Sequence, residues 1–165
     1  MNRRIFLKQM LALSSIPFFR LAWADTKVIK IKKSSEEWQR LISPAAYAVL
    51  FKENTERSFS SLLNNEKRAG VYLCAACYNP LFSSDAKFDS GTGWPSFFRS
   101  IEGHVETKID FKLILPRTEY HCIRCNGHQG HLFDDGPLPT GLRYCNNGIA
   151  LLFVPKGDKV PPLRN

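Results

Sequence analysis

Two C-x-x-C pairs constrain this sequence more than any other feature. Cys74 and Cys77 form the first pair, Cys122 and Cys125 form the second, and residues 78–121 separate them. Two thiolates spaced in this way point at one ion from a tight turn, and two such turns complete a tetrahedron of sulfur ligands. Zinc suits the site because it imposes no d-electron geometry and does no redox chemistry. The pattern predicts one structural zinc ion that ties together two hairpins of a larger sheet.

Three other interpretations of these cysteines remain open at this point. The pairs would form disulfides in an oxidising compartment, and four cysteines also ligate iron–sulfur clusters. A thioredoxin-like redox motif is the third, but it requires the C-x-x-C to open a helix after a strand in a βαβ unit, and neither pair has that setting. The doubled C-x-x-C favours zinc over all three.

Residues 1–24 have the pattern of an export signal. Arg3-Arg4 precedes an apolar run from Met10 to Phe19, and the small residues Ala22 and Ala24 flank Trp23 just before Asp25. The arginine pair is typical of twin-arginine signals, which carry folded proteins across a bacterial inner membrane. The apolar run is about half of the ~20 residues that a membrane-spanning anchor, the alternative, would need. We expect cleavage after Ala24, passage through the twin-arginine export machinery and a periplasmic mature protein.

The charge balance argues against a nucleic-acid partner. The whole chain carries 23 Lys+Arg against 15 Asp+Glu. Four of the bases belong to the predicted signal, so the mature chain has 23 − 4 = 19 bases against 15 acids, a net charge of +4. The remaining bases are scattered instead of forming one stripe, so nucleic-acid binding is not expected.

The mature chain reads as one mainly β domain with small helices at its front. Residues 25–39 are polar and basic and suggest an arm, extended or strand-like at residues 28–32. Ser43 followed by Pro44 is typical of a capped helix start, and the spacing of apolar residues predicts a helix over 44–52. Three runs favour strands, the last of them buried: Val71–Leu73, His121–Ile123 and Ala150–Val154. Residues 156–165 are expected to form a frayed tail.

Cys145 is the fifth cysteine, so one thiol is left over after a four-cysteine site. Arg143 lies two residues before it, on the same side of an extended chain. A nearby cation favours thiolate over thiol, as a nucleophilic cysteine requires. Taken alone, however, a lone cysteine is more often a buried, inert core residue.

Other segments of the second half carry further candidates. His128 and His131 lie close before Cys145 and would supply proton transfer or bind a metal, although the surrounding glycines disfavour the helix that an H-x-x-H metal motif needs. Trp94 stands between Gly93 and Pro95 on a rigid turn, which suits a core plug or the wall of an apolar pocket.

Together these segments resemble the B-type peptide-methionine (R)-S-oxide reductases. The likeness covers about residues 40–155 and lies in blocks whose order and spacing are much more specific than any single motif. The blocks are Thr55-Glu-Arg57, Cys74-x-x-Cys77-x-x-Pro-Leu-Phe82, Lys87-Phe-Asp-Ser-Gly-Thr-Gly-Trp-Pro-Ser-Phe97, Arg117-Thr-Glu119, Cys122-x-x-Cys125-x-Gly-His-x-Gly-His131, Asp135-Gly-Pro137 and Thr140-Gly-Leu-Arg-Tyr-Cys-x-Asn147.

The resemblance implies a fold, a reaction and a set of residue roles. The fold is mainly β, with two antiparallel sheets braced by a structural zinc (Mss4-like, or β-tent) and short N-terminal helices. The reaction is reduction of methionine-R-sulfoxide in oxidised proteins. Cys145 would attack the sulfoxide sulfur, while His128 and His131 would bind and protonate its oxygen. Asn147 would order the site. The residues that would contact the substrate are Trp94, Phe97 and Arg143.

The departures from the family pattern concern the reductant and the substrate. Many relatives carry a second cysteine two residues before the tryptophan, where this chain has Thr92. We therefore expect a one-cysteine cycle in which an external thiol or a thioredoxin-like partner reduces the sulfenic acid. The stretch 109–115 and the residues Gln129, Asn146 and Gly148 also differ from the family. A monomer is expected, and a non-catalytic zinc-ribbon binding module remains the alternative function.

Overall fold

A computed structural model describes residues 28–112 and 115–165. The export signal predicted for residues 1–24 lies outside the described residues. Within the described ranges, no helix combines the length and the apolar character that a membrane crossing requires.

Two short helices open the described chain. α1 spans Ser35–Leu41 and begins with a capping box, in which Ser34 Oγ accepts from the Glu37 backbone N–H and the Glu37 carboxylate accepts from the Ser34 N–H. α2 spans Pro44–Lys52, as predicted, and Ser43 Oγ accepts from the Ala46 N–H. α1 lies partly in the segment predicted as an arm, and its Trp38 is buried against Phe51 of α2 with ring centroids 5.1 Å apart. The S-x-x-E signal for this helix start was present in the sequence.

Among the described residues, nine strands form two antiparallel sheets. The small sheet has the order β2-β1-β9 and the large sheet has the order β3-β4-β8-β7-β6-β5. The strands are β1 Gly70–Cys74, β2 Pro80–Ser83, β3 Lys87–Phe88, β4 Ser96–Phe97, β5 Val105–Asp110, β6 Arg117–Cys122, β7 His128–Phe133, β8 Arg143–Asn146 and β9 Leu151–Pro155. The prediction of a mainly β fold with two antiparallel sheets and short N-terminal helices is confirmed.

β9 differs from the buried strand predicted at residues 150–154. It pairs only with β1 and is therefore an edge strand. Leu151 and Val154 are buried, whereas Leu152 is 37% exposed. An edge strand that covers the core with one face buries only every second side chain. The continuous apolar run therefore led to the expectation of more buried residues than the strand has.

An aromatic cluster fills the space between the sheets. Phe82 of the small sheet stacks on Phe97 of the large sheet with ring centroids 4.2 Å apart, and Tyr72 meets Phe97 edge-on at 4.9 Å. Tyr120 and Tyr144 continue the cluster along the large sheet at 5.1 Å. Burial of several large rings removes a large apolar area from water and stabilises the packing of the two sheets.

The last residues of the chain are fastened to the first C-x-x-C turn instead of fraying. The Arg164 N–H donates to the Cys77 carbonyl at 3.0 Å, and its guanidinium donates to the Ala76 carbonyl at 2.9 Å and lies over the Tyr78 ring. Asn165 Oδ1 accepts from Arg124 of the second C-x-x-C turn at 2.8 Å. The expectation of a frayed tail is therefore wrong for residues 164 and 165. Buried carbonyls of a tight turn need donors, and an arginine offers several at once.

Candidate functional site

The two C-x-x-C turns have the same backbone construction. In each, the residue after the second cysteine has a positive φ, 60° at Tyr78 and 59° at Asn126, and its N–H donates to the carbonyl of the first cysteine at 2.9 Å. Cys74 ends β1 and Cys122 ends β6, so one turn extends the small sheet and the other extends the large sheet. The site that they form joins the two sheets.

The four sulfur atoms are placed for a single tetrahedral ion. All four lie within 4.8 Å of one another and all four cysteines are buried. Cys74 Sγ is 3.6 Å from Cys125 Sγ, and Cys77 Sγ is 3.5 Å from Cys122 Sγ. A zinc–sulfur distance of about 2.3 Å in a tetrahedron puts the sulfurs ~3.8 Å apart, close to these separations. The cysteines are unpaired, and a multi-iron cluster would need its thiolates farther apart. The residues therefore form a site for one structural zinc ion.

Two side-chain amides donate hydrogen bonds to two of the four sulfurs. Gln129 Nε2 donates to Cys74 Sγ at 3.4 Å, and Asn79 Nδ2 donates to Cys122 Sγ at 3.5 Å. Both amides are buried. Donors of this kind stabilise thiolates and orient the ligands around a metal. Gln129 belongs to β7, so the strand that carries the histidines also touches the zinc ligands.

A row of side chains crosses the large sheet at Cys145. In the antiparallel register, Cys145 lies opposite His131 on one side and opposite Ser96 on the other, and His131 lies opposite Glu119. Residues directly opposite each other share one face of the sheet, with Cβ atoms about 4.5–5.5 Å apart. The sheet therefore places the thiol next to an imidazole without any helix or loop.

A β-bulge decides where the second histidine points. β6 and β7 pair Tyr120 with Gly130 and then His121 with His128, so Gln129 is an extra residue in β7. In a regular strand, residues three apart face opposite sides of the sheet. The extra residue returns His128 to the face of His131, and their rings lie 5.4 Å apart.

His131 is held by a carboxylate. Its Nε2 lies 2.8 Å from Asp110 Oδ2, and Arg117 donates to the same oxygen at 2.8 Å. A backbone hydrogen bond from Lys112, together with those from His131 and Arg117, holds the pKa of Asp110 well below its usual range, so this carboxylate stays ionised. Burial lowers the pKa of His131, although Asp110 opposes this effect, and the imidazole is accordingly neutral at pH 7.

His128 lies behind this arrangement instead of in the pocket. It is 3% exposed, and its Nδ1 is 3.0 Å from Glu119 Oε1 without hydrogen-bond alignment. Glu119 is itself buried and its other oxygen is 3.1 Å from Lys108 Nζ. The structure therefore supports contact with a bound ligand for His131 and a supporting position for His128.

A pocket of about 120 Å³ opens over Cys145 and His131. Trp94 forms one wall, and its Nε1 donates to the Glu56 carbonyl at 3.1 Å. Gly130 lies beneath the pocket, where a Cβ would come within 1.9 Å of the Cys145 carbonyl oxygen. Only glycine allows β7 and β8 to approach this closely. The pocket thus combines an aromatic wall, a partly exposed thiol and an imidazole.

Two opposing influences act on the Cys145 thiol. Burial raises its pKa, whereas the charge of Arg143 and hydrogen bonds with Thr92 and Arg143 lower it, with burial prevailing. Arg143 is held by Asp135 through two hydrogen bonds, at 2.7 and 2.8 Å. As predicted, the cation beside the thiol lowers the pKa of Cys145, but its effect is smaller than that of burial.

Glu56 is the residue that connects the parts of the site. Its carboxylate accepts from the backbone N–H groups of Gly148 and Ile149 at 2.6 and 2.9 Å. Its own N–H donates to Asn147 Oδ1 at 3.0 Å, and its carbonyl accepts from Trp94. A single residue therefore fixes the tryptophan wall, Asn147 and the short 3-10 helix that follows β8.

The structure brings together most of the predicted residues. Asn147 lines the pocket, and its Nδ2 donates to the Gln129 carbonyl at 3.0 Å, which suits the predicted ordering role. Phe97 does not belong to the site. It is fully buried in the aromatic cluster between the sheets, because its side chain points to the opposite face of β4 from Ser96 and Cys145.

Three acidic residues of the site were not predicted from the sequence, namely Glu56, Asp110 and Glu119. Glu56 and Glu119 lie in the segments Thr55-Glu-Arg57 and Arg117-Thr-Glu119, which were noticed only as family blocks. An acidic residue in a motif that has no other explanation can be predicted to accept a hydrogen bond. Its donor would be a histidine or backbone N–H groups. For Asp110 no sequence signal existed, because its partner His131 is distant in the chain.

Comparison with known proteins is consistent with this geometry. Residues 42–155 match the SelR domain family. The chain is 51% identical to the peptide methionine sulfoxide reductase MsrB of Bradyrhizobium diazoefficiens over 142 residues, covering 86% of this chain and 100% of that protein. It is 51% identical to the protein of the same name from Methanosarcina barkeri, covering 74% and 87% of the two chains. It is 50% identical to peptide methionine sulfoxide reductase B1, chloroplastic, of Arabidopsis thaliana, covering 72% and 59%.

The zinc site makes a direct prediction. Cys77→Ser removes one of four thiolates, so we expect metal content to fall from one zinc per chain to near zero after mild chelation. Structural zinc contributes folding free energy, and the thermal midpoint should drop by roughly 10 °C or more. Elemental analysis and thermal unfolding would measure this, with Cys145→Ser as the matched control. A variant that keeps its zinc and its midpoint would contradict the assignment.

Replacement of Arg143 tests the electrostatics of the thiol. In Arg143→Met the favourable charge is lost and Asp135 is left unpaired, so the pKa of Cys145 should rise further. Alkylation by iodoacetamide at pH 8 should slow by roughly threefold to tenfold, because only the thiolate reacts. Arg40→Met, on the exposed side of α1, is the control, and Asp135→Asn added to Arg143→Met should recover part of the rate. Unchanged or faster alkylation would refute the proposed balance.

Proposed function

Since this chain belongs to the SelR domain family, we propose that it is a peptide-methionine (R)-S-oxide reductase that uses Cys145 as its nucleophile. The observation that carries the proposal is the position of the Cys145 thiol, directly opposite His131 in a pocket walled by Trp94. The substrate is a methionine-R-sulfoxide residue of an oxidised protein, and the second substrate is a thiol reductant.

Cys145 carries the first step. Its thiolate sulfur attacks the sulfoxide sulfur, and the oxygen passes to Cys145 as a sulfenic acid while the methionine sulfur leaves as a thioether. The substrate sulfur is reduced by two electrons and the cysteine sulfur is oxidised by two. Because burial keeps the resting thiol protonated near pH 7, the proton that leaves Cys145 is available to the sulfoxide oxygen.

His131 handles that proton. A sulfoxide oxygen leaves poorly unless it is protonated, and His131 is the imidazole that lines the pocket. Its lowered pKa makes the imidazolium a stronger acid than ordinary histidine. Asp110 fixes the ring through Nε2, which leaves Nδ1 to serve the substrate.

The pocket provides the basis for stereoselectivity. An aromatic wall at Trp94 suits the methyl group of the substrate, and the polar side at His131 suits its oxygen. In the S epimer these two groups exchange places relative to the sulfur, so methyl and oxygen would each meet the wrong wall. Asn147, held by Glu56 and the Gln129 carbonyl, keeps the polar side in place.

Regeneration of Cys145 needs an external thiol. The other four cysteines form the zinc site, and Thr92 stands beside Cys145 where many relatives have a second cysteine. An incoming thiol displaces water from the sulfenic acid to give a mixed disulfide, and a second thiol releases Cys145 as a thiol. A thioredoxin-like protein or a small dithiol suits this role. A non-catalytic binding module would not require any of this constellation, and nothing in the described part of the chain favours it.

Turnover of the two epimers tests the proposal. The zinc-loaded full chain with excess dithiothreitol should reduce the R epimer of a methionine sulfoxide peptide, with at least ~100-fold lower turnover of the S epimer. Cys145→Ser should abolish reduction and retain zinc. Absence of turnover with either epimer by a folded, zinc-loaded protein would leave the binding module as the better explanation.

We further propose that the protein acts as an exported monomer. The support for export is the arginine pair and apolar run of residues 1–24. The support for a monomer is that one chain already brings together the thiol, the imidazole and the aromatic wall, so the site does not require a second copy. A periplasmic location would place the repair of oxidised methionine in an exposed compartment.

Replacement of the arginine pair tests the export route. Arg3→Lys with Arg4→Lys should retain the full-length protein in the cytoplasm of a bacterial host, whereas the parent chain should appear in the periplasm with Asp25 as its first residue. Cell fractionation and N-terminal sequencing give the answer. Equal export of both forms would exclude the twin-arginine route.

A further inference from the structure

A second, larger cavity of about 860 Å³ adjoins the pocket over Cys145. Arg117 and Phe133 line both cavities. The larger one lies at the end of the six-stranded sheet, where β6 begins, β7 ends and the chain approaches β8. The two cavities are thus neighbours that share two lining side chains.

The lining of this cavity is mostly apolar although it is open to solvent. Leu132 and Leu142 form its floor and Pro116 and Leu115 form its rim, with Leu115 76% exposed. Arg117 and Phe133 alternate with Thr118 and Leu132 along their strands, so the groove wraps around the end of the sheet. Exposed apolar surface of this kind, next to a reactive pocket, is typical of a binding surface.

The pocket over Cys145 is too small for a polypeptide. Its 120 Å³ is well below the ~300–1,000 Å³ of ordinary ligand pockets, so it accepts one side chain and little else. A methionine sulfoxide inside a protein has neighbours on both sides that must lie outside the pocket. An extended chain advances about 3.3 Å per residue, which brings residues within about three positions of the sulfoxide over the groove.

We propose that this groove binds the polypeptide flank of the substrate and selects methionine sulfoxides that have aliphatic or aromatic neighbours. The inference rests on the proposed reductase function and names its substrate class. Oxidised methionines from hydrophobic cores have such neighbours, and they become accessible when oxidation loosens packing. The exposed Asp134 at the rim disfavours acidic flanks by repulsion.

Part of this selectivity is specific to this chain and is not set by the motifs of its family. Leu115 lies in the stretch 109–115, which departs from the family pattern, and Ile109 and Phe111 of the same stretch are 55% and 75% exposed. An apolar rim at this place is therefore a feature that the family motifs alone do not specify.

Matched peptides test the proposal. The peptides carry one methionine-R-sulfoxide flanked within three positions by leucines, by serines or by aspartates. For the zinc-loaded full chain we expect kcat/KM about tenfold higher with leucine flanks than with serine flanks, and lowest with aspartate flanks. Leu115→Ser combined with Leu142→Ser should bring the leucine-to-serine ratio close to one. Leu163→Ser, an exposed leucine at the zinc end of the molecule, is the matched control.

Two further measurements separate the possible failures. N-acetyl-methionine-R-sulfoxide amide fills only the small pocket, so the groove variants should turn it over at the parent rate if they are folded. The Cys145→Ser protein should bind the leucine-flanked peptide about tenfold more tightly than the serine-flanked one, as measured by fluorescence anisotropy. Failure of the parent protein to reduce the minimal substrate would overturn the proposed function, and this inference with it.

Three results would overturn the groove proposal alone. The first is an unchanged preference in the double variant, and the second is the absence of any preference in the parent chain. The third is concentration-dependent dimerisation that Leu115→Ser abolishes without a change in peptide selectivity, which would assign the groove to a second copy of the chain.

Discussion

The tetrahedral thiolate site at the ends of β1 and β6 is the constraint on which the remaining geometry depends. It joins the small sheet to the large sheet at one end, while the aromatic cluster fills the space between them. Gln129 couples this site to the chemistry, because its amide donates to Cys74 while its extra position in β7 turns His128 to the face of His131. Loss of the metal would therefore disturb the strand that carries the histidines.

The protonation states of Cys145 and His131 reflect a competition between burial and nearby charges. Burial disfavours the Cys145 thiolate and the His131 imidazolium alike, and Arg143 and Asp110 each oppose that effect without overcoming it. The resting site is thus a neutral thiol beside a neutral imidazole. Such a site stores no uncompensated charge. In the proposed reaction, the partial negative charge of an entering sulfoxide oxygen would favour the protonated imidazole.

Local signals in the sequence predicted the zinc cysteines, α2 and a mainly β domain, whereas the two-sheet fold and the residue roles were predicted from the family resemblance. The C-x-x-C spacing and the capped start of α2 each depend on residues close together in the chain, and the odd cysteine follows from counting the thiols. Phe97 was assigned to the substrate on the family resemblance, yet strand alternation directs it into the core. Glu56 was missed because its partners Asn147, Gly148 and Ile149 lie some ninety positions away, a pairing that no local pattern reports.

By itself, the sequence determined that four cysteines form a metal site, that Cys145 is left over as a fifth thiol and that the chain belongs with the SelR domain proteins. Tertiary structure alone decided which histidine lies opposite the thiol, because that choice depends on the register between β7 and β8. It also decided that burial outweighs Arg143 at Cys145. The physical reason is common to both. Strand pairing and desolvation arise from contacts between distant segments, whereas motifs record only what neighbouring residues require.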